Sequence, residues 1–125
     1  MPHPSDRRYL DSHEWHRLAD GVVTIGISQF AVDELTDVTY VEFRMSDGRI
    51  DKGEPFAEVE SVKSNSEVYA GVAGEVVAVN DAVVDEPQKI NEDCYGDGWL
   101  IKIKPDDPAA VEALMDGPAY EATLG

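Results

Sequence analysis

One lysine stands where a covalent attachment point would. In the stretch FAEVESVKSNSEVYAGVAGEV, residues 56–76, Lys63 separates two segments that both have the β-branched, half-alternating character of strands. A strand ending at Ser61, a tip at Val62-Lys63-Ser64 and a return strand through Glu67, Val68 and Tyr69 would project the ε-amine away from the body of the fold. Most lysines are surface solubility groups. An amine held out on a tight hairpin, with no catalytic pocket around it, suits covalent modification better than chemistry in place. A weak internal echo frames it: GEPFAEV starts at Gly53 and GEVVAVN at Gly74, so Lys63 lies 10 residues after one glycine and 11 before the other.

Other chemistries find little support. His3, His13 and His16 are the chain's three histidines, no His-Glu-x-x-His helix occurs, and on a strand His13 and His16 would face opposite ways, so no metal site is expected. There is no Gly-x-Ser-x-Gly elbow, Walker loop or dinucleotide fingerprint, and GVAGEV lacks the lysine and helix start that cradle phosphate. Carboxylate pairs such as Glu58 with Glu60 or Asp106 with Asp107 read as a solvated acidic face. Cys94 is alone, which excludes an intramolecular disulfide and predicts a packed thiol. No catalytic residue is expected.

The totals narrow the partners. A chain of 125 residues reads as one domain over 1–125, with its core at about 9–120. Against 26 acidic residues stand 10 basic ones, a formal net charge of -16, and the basic ones are scattered. Neither nucleic acid nor an anionic membrane surface suits such a chain, because both require clustered Lys and Arg. The apolar runs, such as residues 21–27, are far shorter than the roughly 20 residues that cross a bilayer. The amino terminus has neither an apolar signal core nor an Arg-rich transit character, which predicts a cytoplasmic protein. An Asp/Glu surface poor in lysine repels itself unless counterions screen it, so adaptation to high salt is an expectation beside plain solubility.

The elements that must hold the lysine are mostly β. Asp20-Gly21 between Glu14–Leu18 and Gly21–Ile27 signals a hairpin, and SQFAVDEL predicts a short helix capped by Ser28 with Phe30, Ala31 and Leu35 on one face. VTYVEF, residues 38–43, predicts a strand turned by Ser46-Asp47-Gly48. Gly53 to Asn80 reads as two strand pairs. DGWLIKIKP alternates Trp99, Ile101 and Ile103 against Leu100, Lys102 and Lys104. In the tail, Asp107 and Pro108 open a helix with Val111, Leu114 and Met115 on one face, and Gly117-Pro118 reads as its stop. Trp15, Tyr40, Tyr69 and Trp99 are expected to pack in the core, and Gly71 and Gly74 to keep a turn tight. The whole predicts a small sandwich or flattened barrel with helical flanks.

ESVKSNSE resembles the modification site of lipoyl-carrying domains. The flanking pieces SHEW (12–15), VTIGISQFAVDEL (23–35), VTYVEF (38–43), ESVKSNSEVYAGVAGEVVAVN (60–80) and INEDCYGDGWLIKI (90–103) resemble the glycine cleavage H-protein family within that group, from about Tyr9 to Tyr120. Biotin carriers typically flank their lysine with methionines, whereas Val62 and Ser64 flank Lys63. A biotinyl carrier is therefore the more distant alternative, and an H-like relay of octanoyl or lipoyl groups in lipoate metabolism the nearer one.

The resemblance implies a mostly β, lipoyl-type hybrid barrel-sandwich with flanking strands, short helices and a C-terminal helix. It implies lipoate in amide linkage on Lys63, in a recognition context of Glu60, Ser61, Val62 and Ser64. The dithiolane would take the aminomethyl group of glycine from glycine decarboxylase, a pyridoxal phosphate enzyme, to aminomethyltransferase, and dihydrolipoyl dehydrogenase would reoxidise it. A lipoylating enzyme would be a further partner, and the chain itself a non-catalytic carrier. Because the loaded arm ends in an amine liable to hydrolysis, a water-poor surface bearing carboxylates would protect it. Ser12, Glu14 and Glu67 are the residues expected there.

Overall fold

A computed structural model describes residues 6–124; His3 and the other residues of the extreme amino terminus lie outside the described residues. The described chain runs β1 (Arg8–Tyr9), β2 (Glu14–Ala19), β3 (Val22–Ile27), α1 (Gln29–Leu35), β4 (Val38–Phe43), β5 (Gly48–Ile50), β6 (Pro55–Ser61), β7 (Asn65–Tyr69) and β8 (Gly74–Val79). It continues through α2 (Ala82–Asp85), α3 (Gln88–Glu92), β9 (Ile101–Pro105), α4 (Ala109–Glu112) and α5 (Gly117–Leu124). The strands form two sheets, β1-β2-β3-β9-β8-β5 and β4-β6-β7, and every pairing is antiparallel.

Local chemistry explains the joints. Asp20 and Gly21 take φ of 54° and 77°, the paired positive angles of a two-residue hairpin turn, and they join β2 to β3 as the dipeptide predicts. Ser28 caps α1, its hydroxyl accepting from the Ala31 N–H at 3.3 Å. The face α1 buries is carried by Val32 and Leu35, while Phe30 is half-buried and its ring lies against His13.

The core lies between the sheets. Val23, Ile25, Ile101 and Ile103 of the larger sheet join one buried cluster with Val41, Val59 and Val68 of the smaller. Tyr9, Trp15 and Tyr120 form a second cluster, with Tyr9 and Tyr120 stacked at 4.6 Å and 3°. Cys94 is buried, as a packed thiol should be. The result is a mostly β, two-sheet architecture with short helical flanks, in line with the small sandwich that the residue pattern predicts.

Four details differ from the sequence expectations. Gly117-Pro118 opens a helix instead of ending one: Asp116 accepts from the Ala119 N–H at 2.9 Å, and Pro118 occupies a first turn where its missing N–H costs nothing. Gly53–Asn80 contains three strands, of which β6 and β7 pair with each other while β8 joins β5 and β9. The echo between Gly53 and Gly74 stops at the backbone, since Phe56 is fully buried and its counterpart Val77 is 49% exposed. Tyr40 is 44% exposed on β4 and does not enter the core, whereas Trp15 does.

Candidate functional site

Lys63 sits in the turn between β6 and β7, exposed, between the exposed Val62 and Ser64. Ser61 locks the turn. Its hydroxyl accepts from the backbone N–H groups of Lys63 at 3.2 Å and Ser64 at 3.1 Å and donates to the Ser64 carbonyl at 3.0 Å; its own N–H donates to that carbonyl at 2.7 Å. Four hydrogen bonds across four residues hold the chain beneath Lys63 in one conformation while its side chain stays in solvent. Val62 donates its N–H to the Asp37 carbonyl at 3.3 Å, which ties the tip to the loop before β4.

A cleft of about 350 Å³ opens beside this turn. Ser12, Glu14, Lys63, Ser64 and Glu67 all line it, so residues that are far apart in sequence share one site. Ile27, Ala31, Leu35, Val59 and Val68 supply an apolar wall. The β2–β3 hairpin places Glu14 opposite Ile27, and α1 adds Ala31 and Leu35 one turn apart. A cleft with an aliphatic wall and a few polar groups suits a long acyl chain with a polar end.

Glu14 is 1% exposed. Its Oε1 accepts from the Ser12 hydroxyl at 2.5 Å and its Oε2 from the Tyr69 N–H at 2.7 Å. Burial nevertheless dominates, and it raises the carboxyl pKa to about 7. Glu67 is different: it is partly exposed, ion-paired to Arg44 at 2.5 Å, and accepts weakly from the Tyr69 hydroxyl at 3.4 Å. A cation entering the cleft therefore meets Glu14 unopposed but competes with Arg44 for Glu67. Glu60 stands outside the cleft lining, half-buried in a cross-strand row with Tyr40 and Asn65.

Two titratable lining residues escape the sequence reading. Glu34 brings a further carboxylate, one helical turn beyond Ala31, and the 3.6-residue period was the available signal. His13 precedes β2, takes φ of 82°, and so escapes the strand alternation that would have set it opposite His16. Its Nδ1 lies 2.7 Å from the Tyr120 hydroxyl, which in turn lies 2.7 Å from the Ser28 hydroxyl. His16 is fully buried and accepts at Nε2 from the Gly71 N–H over 2.9 Å. A Cβ on Gly71 would stand 2.9 Å from that nitrogen, so close approach, more than turn geometry, demands glycine there. Among the described residues no group of three or more His, Cys, Asp or Glu side chains could hold a metal.

Comparison with known proteins bears on the family of the whole chain. A family profile described as "Glycine cleavage H-protein" matches residues 7–125. The chain is 48% identical over 121 residues to the glycine cleavage system H protein of Synechococcus sp. (strain RCC307), covering 97% of this chain and 93% of that one. It is 47% identical over 117 residues to the probable glycine cleavage system H protein of Haloarcula marismortui, covering 94% and 92%. The crystal structure of a glycine cleavage system H protein from Mycobacterium marinum superposes with a TM-score of 0.89 at 38% identity, covering 98% of each chain.

Proposed function

Since this chain belongs to the glycine cleavage H-protein family, a family of non-catalytic lipoate carriers, we propose that Lys63 is the lysine that bears the lipoate. The observation that carries this is the placement of Lys63: an exposed amine on a locked hairpin tip, at the edge of a cleft with an aliphatic wall and a buried carboxyl. When attached, the lipoyl dithiolane supplies the sulfur that carries glycine's aminomethyl group and the electrons that follow it. Lysine and lipoyl chain together reach roughly 14 Å, counting bonds of about 1.5 Å. That length serves either a partner's cleft or this chain's own.

In this reading each residue has a task. Ser61 fixes the tip, while Val62 and Ser64 leave it accessible to the lipoylating enzyme. Glu60, three residues before the lysine, is a recognition residue for that enzyme. Ile27, Leu35, Val59 and Val68 exclude water from the returned arm. Ser12 orients Glu14, and Glu14, with Glu67 at the rim, receives the cationic amine at the arm's end. The partners follow from the carrier role: glycine decarboxylase loads the arm, aminomethyltransferase unloads it, and dihydrolipoyl dehydrogenase reoxidises it.

The chain acts as one domain over 1–125, a reading supported by a core that both sheets share. No helix among the described residues is long and apolar enough to cross a membrane. A cytoplasmic setting belongs to the same reading. The net charge of -16 supports a salt-adapted surface. Lys63→Arg, expressed beside a lipoylating enzyme, tests the assignment: it keeps the charge and the fold but should take up no lipoate and exchange no glycine-derived carbon dioxide. Modification of that variant would refute it.

A further inference from the structure

The β2–β3 hairpin has two used faces. Alternation sends Glu14 and Ile27 to the arm cleft and Trp15 and Gly26 the other way. On that other side lies a second cavity, of about 180 Å³. Its floor is Trp15, which is 1% exposed and donates its indole N–H to the Cys94 carbonyl at 2.9 Å. Gly26 makes this possible, because a Cβ there would stand 2.7 Å from the indole. Tyr95 and Trp99 add aromatic walls.

The rim is cationic. Register aligns Arg17, Thr24 and Lys102 in one row across β2, β3 and β9, so two positive side chains flank a hydroxyl on the same face. Arg7 stacks on the same aromatics, its guanidinium carbon 4.6 Å from the Trp15 ring centroid and 5.2 Å from that of Tyr95. Asp6 partly offsets Arg7 and Arg17, at 2.9 and 3.5 Å. Lys102 enters no ion pair among the described residues; its ammonium lies 4.8 Å from the Trp99 centroid. In a chain with 26 acidic residues against 10 basic ones, a cationic row left this poorly neutralised is against the general trend of the surface.

We propose that this aromatic, cation-rimmed pocket is a docking site for an acidic segment of a partner protein, with one carboxylate side chain seated between Arg17 and Lys102 against Trp99. Three observations choose that occupant. The charge of the rim calls for an anion. The cavity is below the roughly 300 Å³ at which small-molecule sites begin, and so fits one side chain and not a cofactor. Tryptophan, tyrosine and arginine are the residues on which protein interfaces concentrate their affinity. Because the pocket and the arm cleft lie on opposite faces of one hairpin, a partner held here leaves Lys63 and its arm unobstructed. The site does not depend on lipoate, so it stands or falls separately from the carrier assignment.

Trp15 and Trp99 are the chain's two tryptophans and both line the pocket, which makes intrinsic fluorescence a direct reporter. The unlipoylated protein is titrated with an acetylated, amidated hexaglutamate peptide, with the hexaglutamine peptide and inorganic phosphate in parallel. The expected result is a saturable fluorescence change with hexaglutamate alone. Lys102→Glu should weaken binding by roughly tenfold and Lys102→Arg should preserve it, with circular dichroism showing both variants folded. A response to hexaglutamine as strong as to hexaglutamate, equal binding of phosphate, no saturable change, or an unaltered affinity in Lys102→Glu would each overturn the proposal.

Discussion

The Tyr69 N–H donates to Glu14 Oε2 over 2.7 Å, fastening the end of the lysine hairpin's return strand to the buried carboxyl in the cleft. One acid thus serves structure and site together. Its ionisation should be felt in both.

The stability consequence has a definite sign. Burial holds the Glu14 carboxyl near 7 in the folded chain against an ordinary value of 4.5, so the folded state keeps a proton the unfolded chain gives up. This contribution is complete below about 4.5 and is lost as pH rises through about 7. It amounts to roughly 3 kcal/mol for a shift of this size. Urea unfolding at pH 5 and pH 8.5 should show Glu14→Gln losing less stability between the two than the parent does, by about that amount.

His16 should act with the opposite sign. Burial lowers its pKa from 6.5 to about 4, and the neutral ring is the form that accepts from the Gly71 N–H. The stability it confers is present above about 6.5 and lost as pH falls through about 4. His16→Gln keeps an acceptor at a similar reach without titrating. Unfolding midpoints between pH 7 and pH 4 should therefore fall less steeply in this variant than in the parent.

The locked tip gives a kinetic expectation. Ser61→Ala removes the hydroxyl that accepts from Lys63 and Ser64, at a cost of about 1 kcal/mol borne locally. Amide hydrogen exchange should quicken at residues 61–65, and lipoylation should slow, while the thermal midpoint changes little. Unchanged exchange at the tip would show that the backbone alone fixes the turn.

Retention of the arm should follow the cleft acids. With Glu14 ionised above about 7, a cationic amine gains a buried partner; with Glu14 neutral it does not. Loss of ammonia from the aminomethyl-loaded carrier should therefore quicken as pH falls from 8 to 6. In Glu14→Ala with Glu67→Ala the rate should be fast and nearly independent of pH across that range. Because Glu67 already pairs with Arg44, Glu67→Ala alone should matter less than Glu14→Ala.

Much of this was legible in the residues. Asp20-Gly21, the Ser28 cap and the strands around Lys63 announce themselves through local turn and capping chemistry, which needs no knowledge of the fold. Gly117-Pro118 misleads because a Gly-Pro pair fits a helix stop and a helix start alike, and the deciding Asp116 cap is a contact. The short helices α2 and α3, of four and five residues, carry too few turns to show a period. Buried positions such as Val83 and Ile90 emerge only when the layers close.

The cleft was half legible. Glu14 and Glu67 came from position within family-like motifs, and residue type could not reveal that one is buried and the other ion-paired. His13 and Glu34 reach the cleft through a positive φ and a helix phase, which depend on how α1 docks. Sequence also gave no weight to Lys102. Its meaning lies in the cross-strand row with Arg17 and Thr24, and registers are set by the folded sheet.

The central claim is the covalent role of Lys63, and intact-protein mass followed by peptide mapping tests it most directly. Protein expressed in a lipoylation-competent cell should gain a single lipoyl increment, mapped to the peptide containing Lys63 and absent from Lys63→Arg. An unmodified Lys63 under those conditions, or a lipoyl group on another lysine, would contradict it.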